Sequence, residues 1–217
     1  VIGVKDAMGD RYAKLGVKEE SYEVTDPTVA SQIISLKNSG ADVLVNISIP
    51  KFAAQAIKKM DAIGWKPVHL LNDVAATIKA TYTPAGLEKS KGIISVTYLK
   101  DPNDPEWEND PEMNQWRSFM AKYYPKGDSS NAFNVYGWAV CSLMIDVLDR
   151  AGDNLSRDNI MKMAASFNKF RVRGTLPGIV AITGPADYYP VEQMQMVKFD
   201  GKGNVRFGPV ISAETSK

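Results

Sequence analysis

Two rhythms of hydrophobic and polar positions divide the chain. From about Val17, short β-branched runs alternate with amphipathic stretches of roughly a dozen residues, the pattern of βα units around a parallel sheet. Residues 17–24 predict a strand. Asp26 and Pro27 then cap and open a helix with Val29, Ile33, Ile34 and Leu36 on one face, stopped at Gly40. Residues 41–46 predict a buried strand. Ser48 and Pro50 open the next helix, in which Phe52, Ala53, Ala56, Ile57 and Met60 recur at helical spacing before Gly64 ends it. Residues 67–71 and 92–98 predict two further strands, with a short helix from Thr83 and Pro84 between them. After the polar, proline-containing connection 100–108, Asp110 and Pro111 cap a helix running toward Tyr124. The four strands are expected to lie parallel in one lobe.

The rhythm changes after about Lys126. Residues 132–151 predict a long apolar helix with Val135, Trp138, Ala139, Leu143, Ile145 and Leu148 as its dense face, ended by Gly152, and Ser156 caps another helix to about Phe167. The polar stretch 124–130 reads as a crossover, so the apolar helix is expected in a different body from the four strands, with its face exposed or covered by another chain. Residues 193–199 and 204–210 alternate about Asp200-Gly201-Lys202-Gly203, a hairpin signal. At the other end, residues 1–9 read as the end of an amphipathic helix with no strand before it. A parallel sheet missing that strand would expose an edge, so the chain is expected to start inside a domain.

Composition narrows the function classes. With 26 basic against 25 acidic side chains among 217 residues and no basic cluster, nothing prepares a surface for a phosphate backbone, which argues against a nucleic-acid partner. The longest apolar run, residues 41–49, is interrupted by Asp42 and Asn46 and falls well short of the roughly 20 residues that span a bilayer. Cys141 and His69 are the sole cysteine and histidine. A cysteine zinc site and a disulfide within the chain are therefore excluded, and a catalytic relay would have to rest on one histidine at a strand edge, where a structural or solvated role fits better. Lys51, Lys58 and Lys59 read as a solvated helix face, and Glu19 with Glu20, Glu106 with Glu108, and Glu108 with Asp110 as surface charge. Residues 200–203 precede a strand rather than a helix, so they are no phosphate loop. Without a convergent nucleophile, base or metal-ligand set, neither a catalyst nor a cofactor is expected.

In open α/β sheets, ligands bind beyond the carboxyl ends of the strands. That rule selects Asn46 and Ser48 after the 41–46 strand, Asn72 and Asp73 after 67–71, and Tyr98 after 92–97. Ser48 serves either as a helix cap or as a ligand contact, Asn72 and Asp73 either close a turn or orient an ammonium or hydroxyl, and Tyr98 either packs or forms a ligand shelf. Tyr136, near the crossover, is a further candidate for which packing is the simpler role.

SYEVTDPTVASQ at residues 21–32, SGAD at 39–42 and PKFAAQAI at 50–57 resemble the type I periplasmic binding proteins of the leucine/isoleucine/valine receptor superfamily. Gly64-Trp65-Lys66-Pro67, Ala85-Gly86-Leu87, YLKDPNDPEW at 98–107, Val135-Tyr136-Gly137, AGDNLSRDN at 151–159, Leu176-Pro177-Gly178-Ile179 and Phe199-Asp200-Gly201 follow in the same order. It is this order across nearly the whole chain, rather than any one motif, that makes the likeness specific.

The resemblance implies two α/β lobes joined by three crossovers, with a small ligand held in the cleft and lobes that close by hinge motion. Residues 1–128 and about 191–217 would form the C-terminal lobe, and about 129–190 would return to an N-terminal lobe whose remainder, like the first strand of the second lobe, is not among these residues. The implied role is an extracytoplasmic, periplasmic solute-binding protein that delivers an amino acid or a small carboxylic acid, aromatic ones included, to the membrane subunits of an ABC importer. The alternatives are a ligand-sensing receptor domain of the same fold and, less favoured, an α/β enzyme.

Overall fold

The computed structural model describes residues 2–213. A helical run opens it, α1 (Ile2–Met8), a 3-10 turn and α2 (Tyr12–Leu15), in which no residue is buried. Residues 17–24, expected as a strand, form none. They hydrogen-bond to no neighbouring strand, Val24 lies in a turn, and Val17 and Val24 face solvent. β-Branched alternation favours extended backbone, but a strand exists only with a ladder partner, and none lies beside this segment. The helix expected from Asp26 also begins later. Asp26 instead closes a turn by accepting the Glu23 N–H through Oδ2 (2.9 Å), and α3 runs Ala30–Asn38 with Ile33 buried and Ile34 exposed.

From there the βα alternation holds. Parallel strands β1 (Val43–Asn46), β2 (Val68–Leu71) and β3 (Ile94–Thr97) are separated by α4 (Pro50–Ala62) and by short helices α5 (Thr83–Ala85) and α6 (Leu87–Ser90). Pro50 sits in the first turn of α4, where its missing N–H costs nothing, and Gly64 at φ 66 supplies the left-handed residue after its last turn. One face of the sheet, through Leu44 and Leu71, packs on Phe52, Ala53, Ala56, Ile57 and Met60 of α4. Burying a side chain such as Phe52 contributes about 1.5–3 kcal/mol. On the opposite face, Val43 and Val45 remain 45% exposed and Val68 51%.

α7 (Pro111–Tyr123) and α8 (Ala132–Ala151) are followed by α9 (Arg157–Ala164), a two-stranded ribbon β4 (Phe170–Arg171) and β5 (Val180–Ala181), and the hairpin β6 (Gln193–Phe199) and β7 (Asn204–Ser212). β6 pairs antiparallel with β3, so the sheet order is β1-β2-β3-β6-β7. In the hairpin turn, Asp200 Oδ1 accepts the N–H groups of Lys202 and Gly203 (2.8 and 2.9 Å).

α8 packs on elements other than α4. Val135 joins Trp107, Met113, Trp116 and Met120 in one core, with Trp138 against it, and Ala139 and Val147 join Phe167, Val172 and Ala181 in another, with Leu143 against it. Its buried stripe is therefore Val135, Ala139, Val147 and Ala151, while Ile145 and Leu148, expected on the core face, point outward with Phe133, Tyr136, Val140 and Met144. By length and composition alone α8 would reach across a bilayer, which the reading of apolar runs did not anticipate; in this structure its stripe is part of the protein core.

The connection 100–108 is not the solvated loop that its polarity suggests. Lys100 is 3% exposed, and its Nζ donates to Asp110 Oδ1 (2.9 Å) and Glu112 Oε2 (3.0 Å) above the Trp107 ring. Asp110 thus pairs with a buried cation besides accepting the Met113 N–H as the cap of α7 (2.8 Å), so it is more than surface charge. Asp104 accepts N–H groups of Glu106 and Asn204 (3.0 and 2.8 Å), which ties the connection to the hairpin.

A candidate ligand site at the strand tips

Parallel strands end together, so the polar residues that follow them are brought side by side. The Asn72 N–H donates to the Asn46 carbonyl (3.0 Å), and Asn72 Oδ1 accepts the Ser48 N–H (3.1 Å), which clamps the tip of β2 to the exit of β1. The amide of Asn72 thereby has a structural task. Ser48 is buried, yet its hydroxyl finds no partner, and the cap of α4 is Ile49 without a side-chain bond. The helix-capping role is therefore not used, leaving a desolvated hydroxyl available to another group.

Asn46 Nδ2 lies 3.2 Å from His69 Nε2. The amide donates there, so the imidazole accepts through Nε2 and holds its proton on Nδ1. His69 is buried on β2, and that burial pushes its pKa down to about 4, which keeps the ring neutral. It is a structural acceptor that fixes the Asn46 side chain.

Asp73 opens a 3-10 turn (Asp73–Ala75) immediately after β2. Burial pushes its pKa up to about 6, and a hydrogen bond with the Thr97 side chain offsets only part of that. No lysine or arginine forms an ion pair with it among the described residues. Tyr98 leaves β3 beside it, with its phenol pushed up to about 12 by burial and by the proximity of Asp73 and Tyr136. The backbone of Tyr98 is fixed from the other side, because its carbonyl accepts the Leu176 N–H (2.8 Å) and the Lys100 N–H donates to Gly174 (2.9 Å). Tyr136 itself stands exposed on α8.

The six candidates thus fall into two groups: Asn46, Ser48 and Asn72 are joined by hydrogen bonds, and Asp73 and Tyr136 each lie within electrostatic range of Tyr98. Asn46 and Ser48 also line a groove at the β1 edge that the other four do not reach. No cluster of His, Cys, Asp and Glu suited to a metal occurs among the described residues.

The sequence profile of the family described as periplasmic binding protein matches residues 3–204. The chain belongs to that family. Members of this family are binding proteins, and the mixed α/β sheet flanked by helices is their type I fold. No curated protein matches the chain by sequence. Among solved structures, a branched-chain amino acid ABC transporter protein from Thermus thermophilus with bound valine superposes with a TM-score of 0.79 at 14% identity, covering 97% of this chain and 56% of that one. A leucine-binding protein from Thermotoga maritima gives 0.70 at 15% identity, covering 98% and 57%. An extracellular ligand-binding receptor from Rhodopseudomonas palustris HaA2 gives 0.70 at 14%, covering 95% and 59%. At such identities these likenesses establish the fold, and the chain spans somewhat more than half the length of each.

Within the periplasmic binding protein fold, Thr97 escaped the sequence, and His69, expected in a structural role, was not linked to Asn46. Thr97, the last residue of β3, bonds Asp73, and His69 positions Asn46. Parallel register could have found both: His69 pairs with Leu44 across β1 and β2, so its side chain shares a sheet face with that of Asn46, two residues on.

Proposed function

We propose that this chain is part of a periplasmic solute-binding protein that holds an amino acid between two lobes and delivers it unchanged to the membrane subunits of an ABC importer. Residues 1–128 and 191–217 belong to one lobe and 129–190 to the other in this reading, and the core of Trp107, Met113, Trp116 and Met120 with Val135, Leu176 and Ile179 is where they meet. A ligand that touches both lobes favours the closed arrangement by the difference in its contacts between open and closed states.

The observation that carries the reading is Asp73, a largely desolvated carboxylate at a strand tip with no cationic partner among the described residues. A buried charge is costly unless paired, and the ammonium of an amino acid would pair it. Tyr98 offers an amphipathic shelf, and the partnerless Ser48 hydroxyl can bond the other end of the ligand. These features favour an amino acid over a simple carboxylic or aromatic acid, which would bring a second anion toward Asp73.

Calorimetry on the complete polypeptide tests this with a panel of L-amino acids and their deaminated counterparts. Asp73→Asn is expected to weaken amino-acid binding by about 1.5–3 kcal/mol, roughly 10- to 150-fold, with no loss for the deaminated acids. Equal affinity of parent and variant for the amino acid would refute the assignment of Asp73, and tighter binding of the deaminated acids by the parent would refute the ligand class.

A further inference from the structure

Asp73 follows β2 directly and has no ion pair among the described residues, so the neutral groups around its carboxylate decide which rotamer it holds. The register of the sheet brings one such group to it. Leu70 of β2 stands opposite Ile94 of β3, and three residues further along these parallel strands come Asp73 and Thr97. The turn 73–75 packs against β3, and the carboxylate hydrogen-bonds with the Thr97 side chain.

A threonine hydroxyl has one proton to donate. Thr97 has two acceptors in reach, the Asp73 carboxylate and the Leu99 carbonyl, and the bond to Leu99, at 3.3 Å, is long for an O–H donor. An ionised acceptor makes the stronger bond, so the proton turns to Asp73 when that group is charged. The other neighbours do not compete for this task. Tyr82 is fully buried with its ring 4.2 Å from that of Phe199, and its hydroxyl makes no hydrogen bond. Asp101, within electrostatic range of Tyr82, accepts the N–H groups of Ile78 and Asn103 (both 2.9 Å). Burial and the nearby carboxylates push the phenols of Tyr82 and Tyr98 up, so both stay neutral.

The backbone that carries Thr97 is itself held. It closes β3 against β6, where it pairs with Gln195, and two residues on Leu99 bridges to Thr175. Threonine is also stiff at χ1 because it branches at Cβ. A donor on a stiff side chain at a fixed strand end holds the carboxylate in one rotamer before a ligand arrives, which reduces the side-chain entropy lost on binding.

We propose that Thr97 is a positioning residue of the ligand site: its hydroxyl holds the Asp73 carboxylate in the orientation that receives the ammonium of an amino acid. The proposal rests on the reading of Asp73 as the ammonium acceptor, and the experiment separates the two.

Calorimetry on the complete polypeptide, with the L-amino acids titrated singly, compares the parent with Thr97→Val, which keeps the shape without the hydroxyl, and Thr97→Ser, which keeps the hydroxyl. Thr97→Val is expected to weaken the amino acid that the parent binds best by roughly 3- to 10-fold, the effect of one hydrogen bond, with Thr97→Ser within about twofold of the parent. Added to Asp73→Ala, Thr97→Val should change affinity by less than about twofold, because the group it positions is gone. In the unliganded protein, Thr97→Val should also move the NMR titration midpoint of the Asp73 carboxyl upward from about 6, since the lost bond favoured the charged form. Unchanged affinity, an unmoved Asp73 midpoint, or an equal loss in the Asp73→Ala background would overturn the proposal and leave Thr97 as a strand end bonded to Leu99. If Asp73→Ala binds as tightly as the parent, or the parent binds no amino acid, the reading of Asp73 fails and the proposal falls with it.

Discussion

Exchanging Lys100 for methionine keeps the aliphatic stem and most of the volume but removes the cation that Asp110 and Glu112 share. For a fully buried pair, removing one partner costs about 3–5 kcal/mol because the other charge is stranded. Here the lysine side chain is 4% exposed but its partners are 20% and 22% exposed, so both carboxylates keep some water, and Glu112 retains Arg171 at 3.0 Å. Asp110 also keeps its bond to the Met113 N–H. These residual partners lower the expected cost to about 1–3 kcal/mol, still above the 0–1 kcal/mol of an exposed pair. With a urea slope of about 2–3 kcal/mol per molar, the unfolding midpoint should fall by roughly 0.3–1.5 M. Trp107, 5.0 Å from Lys100 Nζ, gives a local fluorescence signal to compare with far-UV circular dichroism.

The pH dependence supplies a second check. Burial pushes the Asp110 carboxyl up, but the Lys100 ammonium and the Met113 N–H more than offset it and hold the group below its ordinary value of 3.8. A carboxyl depressed in the folded state contributes stability that is present above pH 3.8 and is lost as pH falls through the lower folded value. The gap between parent and Lys100→Met should therefore be full at pH 7 and shrink below about pH 4. A midpoint change worth less than 0.5 kcal/mol at pH 7, or a gap that widens on acidification, would refute the view of residues 100–112 as a charge-tied structural hub.

Two further predictions follow from the strand tips. His69 folds with its pKa at about 4 against 6.5 for a free imidazole, so the unfolded chain binds the proton first as pH falls, and stability should drop by about 3 kcal/mol between pH 6.5 and 4. His69→Gln, which retains an acceptor for Asn46, should flatten that slope in urea titrations; an unchanged slope would exclude His69 as its source. Asp73 is displaced the other way, to about 6 from 3.8, so its ionised form burdens the unliganded fold above pH 6 and the burden is relieved as pH falls toward 3.8. Asp73→Asn should therefore raise the unliganded protein's stability at pH 7.5 by about 1–2 kcal/mol while weakening ligand binding, the trade-off expected of a binding residue; a destabilised variant would contradict it.

What the sequence made legible was what local pattern and strand polarity determine. The three parallel strands, the proline-initiated α4, the capped α7 and the hairpin about Asp200 each carry their signals within a few residues, and each formed. The strand-tip candidates were legible for a related reason: in a parallel sheet the residues after each strand gather at one end whatever else the chain does. Errors arose where the outcome depends on a distant partner. Residues 17–24 read as a strand as residues 43–46 do, but only the latter have β2 beside them. Ile145 and Leu148 are as apolar as Val135 and Val147, yet the stripe at four-residue spacing was claimed by the second and third cores and the others were left outside.

The polar connection 100–108 shows the same limit from the opposite direction. Its Asp, Asn and Glu content predicts a solvated loop, because composition counts charges without showing where their partners lie. Lys100 finds Asp110 and Glu112 ten and twelve residues on, and Asp104 finds Asn204 a hundred residues on. Asp73 is the exception. Lys100 is taken by Asp110 and Glu112, Arg171 by Glu112 and Arg206 by Glu106, while among the described residues Asp73 at the neighbouring strand tip has a threonine and no cation. Lys100, Arg171 and Arg206 are thus paired with carboxylates of the fold, whereas Asp73, like Asp101 and Asp104, has no ion pair among the described residues; what sets Asp73 apart is its place just past the end of a parallel strand, where the proposed function needs a charge.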